Sequence, residues 1–129
     1  MNDEEKKFER GVEHFNAGRF FEAHEVWEEL WLAAAEPEKT YLQGLIQVAA
    51  AFHHHGRGNA RGAASLLAAG IAKLAKCPDA FRGIAMIELR NTAEAWAGML
   101  RGEGKAESPQ PPKIRGAKAK DAKTKRGGP

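Results

Sequence analysis

His24, Glu25 and Glu28 stand within one thirteen-residue stretch, Phe20 to Leu32, and His54 closes a second stretch in which Gln43 and Gln47 stand four residues apart. Two imidazoles and two carboxylates form a donor set suited to zinc, manganese or iron, with positions left open for water. In that chemistry His24, Glu28 and His54 would be the ligands. Glu25 would be the general base that takes a proton from a metal-bound water, and the reaction would be a hydrolysis. Gln43 and Gln47 would hydrogen-bond whatever else is bound. The sequence HEVWE departs from the HExxH pattern of zinc proteases, because Glu28 stands where that pattern has its second His. A plainer reading needs no metal. A His and a Glu at i and i+4 bond each other at a helix border, and the two amides satisfy them as a buried polar lock.

The spacing requires helices to position these groups. At 100° per residue, Phe20, Ala23, Val26, Trp27, Leu30, Trp31 and Ala34 share one broad face, with Glu22, Glu25 and Glu29 opposite. His24 and Glu28 lie on the border of that face. In the second stretch Leu42, Leu45, Ile46, Ala49 and Phe52 form the core face, and Gln43, Gln47 and His54 form a separate stripe. A short connection around Glu36-Pro37-Glu38 makes the two helices antiparallel neighbours, so the stripe and the His24–Glu28 border are expected to converge. Consecutive helical residues point about 100° apart, so His53-His54-His55 cannot all serve one ion. His53 and His55 read as a wet helix end that suits the C-terminal dipole. Trp27 and Trp31 read as core anchors rather than as a stacking platform.

The residues GRFFEAHEVWEELW followed by LQGLIQVAAAFHHHGRGN resemble the family catalogued as domain of unknown function 309. The likeness runs from about Phe15 to Leu74, with a weaker echo at Arg82-Gly83-Ile84. It implies a small all-helical protein with an EAHE helix, a GLIQ helix bearing a His, and a Gly-Asn turn. His54 fits the family's His. The family carries no assigned activity, so the resemblance speaks to fold and cluster.

The remaining chain predicts five helices: Asp3 to Asn16, Phe20 to Ala35, Glu38 to His55, Ala60 to Lys76 and Ala85 to Arg101. Asn2 or Asp3 caps the first, Gly18 stops it, and Asn59 caps the fourth. Phe81 to Ile84 reads as a loop or short turn. No segment alternates with the period of a strand, and no nucleotide-binding glycine loop, CxxC or internal repeat is present. The fold class is therefore all-α, a bundle over residues 1–101 with a disordered basic tail over residues 102–129.

The chain has 129 residues and a net charge of +3. Residues 1–101 carry 12 Lys and Arg against 14 Asp and Glu, while residues 102–129 carry 8 against 3. The globular part is mildly acidic, which argues against nucleic-acid binding except through the tail. No apolar run reaches the roughly 18 residues of a membrane span. The charged start MNDEEKKFER does not read as a secretory leader, and the lone Cys77 suits a reducing cytoplasm. The sequence thus predicts a cytoplasmic binding or interaction domain with a His/Glu/Gln pocket between its second and third helices. Its partner would be a small molecule or a protein, and its cofactor, if any, a divalent metal such as zinc or manganese.

Overall fold

The helices start within one residue of where the sequence places them and stop within two, the second at Ala33 rather than Ala35 and the fourth at Leu74 rather than Lys76. The computed structural model describes residues 2–103 and 109–116. Helix α1 is Asp3–Asn16, α2 is Phe20–Ala33, α3 is Glu38–Gly56, α4 is Ala60–Leu74 and α5 is Met86–Leu100. Asn2 caps α1 as half of a capping box: its side chain accepts from Glu5 N at 2.8 Å, and Glu5 Oε1 accepts from Asn2 N at 3.0 Å. Asn59 caps α4 through Gly62 N at 3.0 Å. Glu36 Oε1 takes the Thr40 amide at 3.1 Å and the Thr40 hydroxyl at 2.7 Å, which sets the first turn of α3. No helix among the described residues is long and apolar enough to cross a membrane.

Helix α3 is the axis of the fold, with α2 packed on one flank and α4 on the other. Its core face buries Leu42, Leu45, Val48, Ala49 and Phe52. The α3–α4 contact is a close backbone approach. A Cβ on Gly70 would lie 2.9 Å from Gly44 O, and one on Gly44 would lie 2.8 Å from Leu74 Cδ2. On the other side α1 packs across α2, where Gly11 lies directly against the indole of Trp27. That ring is fully buried between Phe8 and Phe15, and its Nε1 donates to Phe8 O at 3.2 Å.

Three features go beyond the sequence expectations. Between α4 and α5 the chain makes a hairpin, β1 (Ala80–Phe81) with β2 (Ile84–Ala85), where a loop or turn is predicted. Arg82 and Gly83 close it in two residues, both at positive φ (50° and 82°), the pairing that matches strand twist. The Arg82 side chain holds that strained backbone. It donates to Glu38 at 3.0 Å and lies over the rings of Phe8 and Phe81. Second, Arg90 of α5 caps α4, donating to Leu74 O at 3.1 Å and Cys77 O at 2.9 Å. Third, the composition of residues 102–129 predicts a tail with almost nothing to bury, and residues 109–116 depart from that. Pro112 and Ile114 are buried. The Asn16 amide grips Ile114 at both ends, donating to its O at 2.9 Å and accepting from its N at 2.7 Å. Ala85 N then donates to Arg115 O at 2.7 Å, and Gly116 bridges to Ile84. Two buried side chains suffice because prolines reduce the ordering entropy and all anchors but the Lys113 ammonium engage the strap's backbone. The rest of the tail, residues 104–108 and 117–129, lies outside the described residues.

Candidate functional site

Ring contacts fix the register between α2 and α3. Phe20 meets Phe52 with centroids 5.4 Å apart, and Phe21 meets His53 at 5.2 Å. Counting antiparallel from those pairs, His24 comes level with about Val48 to Ala50, Gln47 with about Glu25 to Trp27, and Trp31 with about Tyr41 to Gln43. An antiparallel pairing through the short Glu36-Pro37-Glu38 connection would set His24 level with His54, and the ring contacts displace that by more than one turn. His54 lies four to six residues beyond the level of His24, roughly 6–9 Å along the axis at 1.5 Å per residue. The cause is the aromatic pairing, since the bulky Phe20 and Phe52 seat against each other and set where the helices match.

The groups named from the sequence take the following places. His24 is partly buried; its Nε2 lies 3.9 Å from Glu28 Oε2, an ion pair only when the imidazole is protonated, and half of the Glu28 side chain is in solvent. The His24 ring stacks on Phe21 at 5.7 Å. Glu25 is exposed. His54 turns toward the α4 cap, with Nδ1 3.2 Å from the Asn59 amide nitrogen. Gln43 and Gln47 are half-buried. Gln47 leans to the α4 side, where its Cβ lies 3.3 Å from the position a Gly70 Cβ would take. The structure therefore brings His24 and Glu28 together, sets Gln47 level with the turn of α2 between them, and joins His24 to His53 through the Phe21 ring. Among the described residues, no three His, Cys, Asp or Glu side chains gather as a group that could hold a metal.

What the structure adds is a set of polar atoms without partners. His24 Nδ1, Trp31 Nε1 and Gln47 Oε1 are buried and have no hydrogen-bond partner among the described residues. The fourth such atom, Arg82 Nε, belongs to the hairpin. Each unsatisfied buried group costs about 1–3 kcal/mol, and native chains carry few. Three of the four thus fall on α2 and α3. Trp31 differs from the sequence expectation here: only Trp27 is a core anchor, while Trp31 is half-buried under the Lys39 ammonium, 4.3 Å from the ring centre. Two residues that sequence reasoning did not place in the site now flank it. Phe21 is 46% exposed, and His53 reaches its ring from α3. The only available signal was the register itself.

Residues 8–66 match the family model described as "Domain of unknown function (DUF309)". That segment belongs to the DUF309 family. It holds every residue of the α2–α3 cluster and ends inside α4, before the hairpin, α5 and the 109–116 strap. Over 85 residues the chain is 39% identical to a protein of Aquifex aeolicus (strain VF5) called "Uncharacterized protein", a stretch that is 65% of this chain and 26% of that one. Over 56 residues it is 45% identical to "Uncharacterized protein YpuF" of Bacillus subtilis (strain 168), covering 42% of this chain and 32% of that relative. The chain thus spans about a quarter to a third of the length of the relatives it matches. Their names carry no activity to test against the site.

Cys77 is outside this region. Burial pushes its thiol up to about 11, with Arg90 pulling the other way. A thiol that stays protonated at neutral pH is a poor nucleophile, which fits a structural role beside α4's last turn.

Proposed function

We propose that this chain is a binding domain whose ligand seats on α2 and α3, against His24, Trp31 and Gln47, with Phe21, Glu28, Gln43 and His53 around them. One observation carries the reading: the three buried polar atoms of this region have no partner among the described residues. Trp31 Nε1 can only donate, Gln47 Oε1 can only accept, and His24 Nδ1 can do either according to its tautomer. A small molecule or peptide group with both an acceptor and a donor, such as an amide or a carboxylic acid, would satisfy them. The half-exposed Phe21 ring offers it an apolar surface. Metal-dependent hydrolysis through His24, Glu28 and His54, with Glu25 as base, has less support, since those ligands do not gather.

The three indoles make a built-in test. Trp27 and Trp96 donate to Phe8 O and Gln110 O, whereas Trp31 donates to nothing among the described residues. In an indole N–H spectrum of the full chain titrated with a library of small amides and carboxylic acids, the Trp31 peak is expected to move while the Trp27 and Trp96 peaks stay. Hits that leave Trp31 unmoved would overturn the reading. Elemental analysis of the tag-free chain covers the alternative: one equivalent of zinc or manganese, lost in His24→Ala, would shift the assignment to a metal site.

A further inference from the structure

The 109–116 strap borders a groove whose lining includes none of His24, Trp31 and Gln47. The strap's first half, Pro109-Gln110-Pro111-Pro112-Lys113, borders this apolar groove of about 520 Å³, whose opposite wall is Phe15, Phe20, Phe52, His55 and Trp96. These rings stack edge to face in series: Phe15 on Phe20, Phe15 and Trp96 on Phe52, His55 on Trp96. Trp96 is 7% exposed, and its Nε1 donates to Gln110 O at 2.9 Å.

We infer that this groove is a recognition site for proline-rich segments, occupied in the isolated chain by its own strap and open to a proline-rich segment of a partner protein that displaces it. Three observations support this. The wall has the chemistry that extended proline-rich chains take: flat aromatic surfaces for the pyrrolidine rings and one indole N–H aimed at a carbonyl between prolines. Prolines at 109, 111 and 112 hold their own backbone near φ −65°, so little entropy is lost on docking. The strap also fits only in part, because the 520 Å³ remains open between it and the aromatic wall. The remaining anchors are sequence-tolerant. Lys113 Nζ donates to Asn16 O, the Asn16 amide grips the backbone of Ile114, and Ala85 N donates to Arg115 O. A foreign chain with the same proline spacing, a lysine after it and one apolar residue next can make every one of them. The site lies outside the α2–α3 reading and stands or falls separately from it, since its reporter is Trp96 and not Trp31.

The test uses the full chain. Ile114→Asp places a charge where a buried apolar side chain sits, which should release the strap while leaving every groove residue intact. A labelled peptide of sequence Pro-Gln-Pro-Pro-Lys-Ile-Arg-Gly is expected to bind that variant at least tenfold more tightly than it binds the parent, whose own strap competes. Replacing the three peptide prolines by alanine should cost tenfold or more, and adding Trp96→Phe to the variant should cost a similar factor by removing the donor while keeping a ring. A folded Ile114→Asp chain that ignores the peptide, or binds the alanine peptide equally well, would overturn the inference. If Ile114→Asp does not fold, the double change Pro111→Ala, Pro112→Ala, which alters the strap alone, takes its place with the same expectations. A dimer that grows with concentration through exchanged straps would assign the groove to a second copy and overturn the partner reading.

Discussion

Trp27→Ala should cost about 3–5 kcal/mol, the range for truncating a large buried aromatic residue, and so a large part of the roughly 5–15 kcal/mol that holds a domain of this size together. The indole is fully buried, sits between Phe8 and Phe15, and occupies the space that the absent side chain of Gly11 leaves between α1 and α2. Removing it leaves a cavity that helix backbones cannot close. Trp31→Ala makes the matched comparison. Its ring is half-buried and touches Lys39 from one side, so the change should cost about 1–2 kcal/mol, a partial burial plus a modest cation–π contact. Denaturant melts of the two variants, read by the shift in midpoint at constant slope, check this. Equal losses would contradict the division of the two Trp residues into a fully buried anchor and a half-buried flank of the core.

Gly70→Val should be as damaging, by about 3 kcal/mol or more, for the opposite reason. A Cβ there meets Gly44 O and Val48 Cγ2 at 2.9 Å. The oxygen is backbone and cannot rotate away, so α3 and α4 must part along their shared length, and overpacking of that kind typically costs 1–3 kcal/mol before any further branch is added. Valine also loses the helix-propensity gain that a better helix former would supply. The control is Gly98→Ala in α5, where an added Cβ meets nothing within 4 Å. It should stabilise by roughly 0.5–1 kcal/mol through the unfolded chain. A Gly70→Val protein that melts with the parent would mean that the helices do not approach as closely as the Gly44–Gly70 contact requires.

Helix ends were legible in the sequence because their signals are local. Asn2 with Glu5, and Asn59 with Gly62, act within three residues. The five-helix, all-α architecture followed from them together with the 3.6-residue spacing of Ala23, Trp27 and Leu30 in α2. The hairpin escaped because Arg82-Gly83 replaces the Asn-Gly or Asp-Gly that marks such turns. Its positive φ at Arg82 is held by distant partners, Glu38 and the Phe8 ring. The strap escaped for a similar reason: Asn16 meets Ile114 across 98 residues, and nothing in a Pro- and Lys-rich composition announces it.

The candidate site was half legible. The His24–Glu28 pair follows from a spacing of four, and the structure keeps it. Which histidine of α3 approaches α2 does not follow, because His53 and His54 differ by 100° and the choice depends on how Phe20 seats against Phe52. The lean of Gln47 toward α4 likewise depends on the Gly44–Gly70 approach, a tertiary contact that two isolated glycines do not reveal.

The central claim is that the polar groups of α2 and α3 serve a ligand and not the fold. Gln47→Met tests it most directly, since methionine keeps the length and flexibility of the side chain while removing the buried Oε1 that has no partner among the described residues. If that oxygen is held for a ligand, the free protein gains when it goes, and equilibrium unfolding of the variant should show a stability higher by about 1 kcal/mol, a rise of several degrees in Tm. A loss of 1 kcal/mol or more would mean that the amide is tied into the fold, and that this cluster is a structural lock.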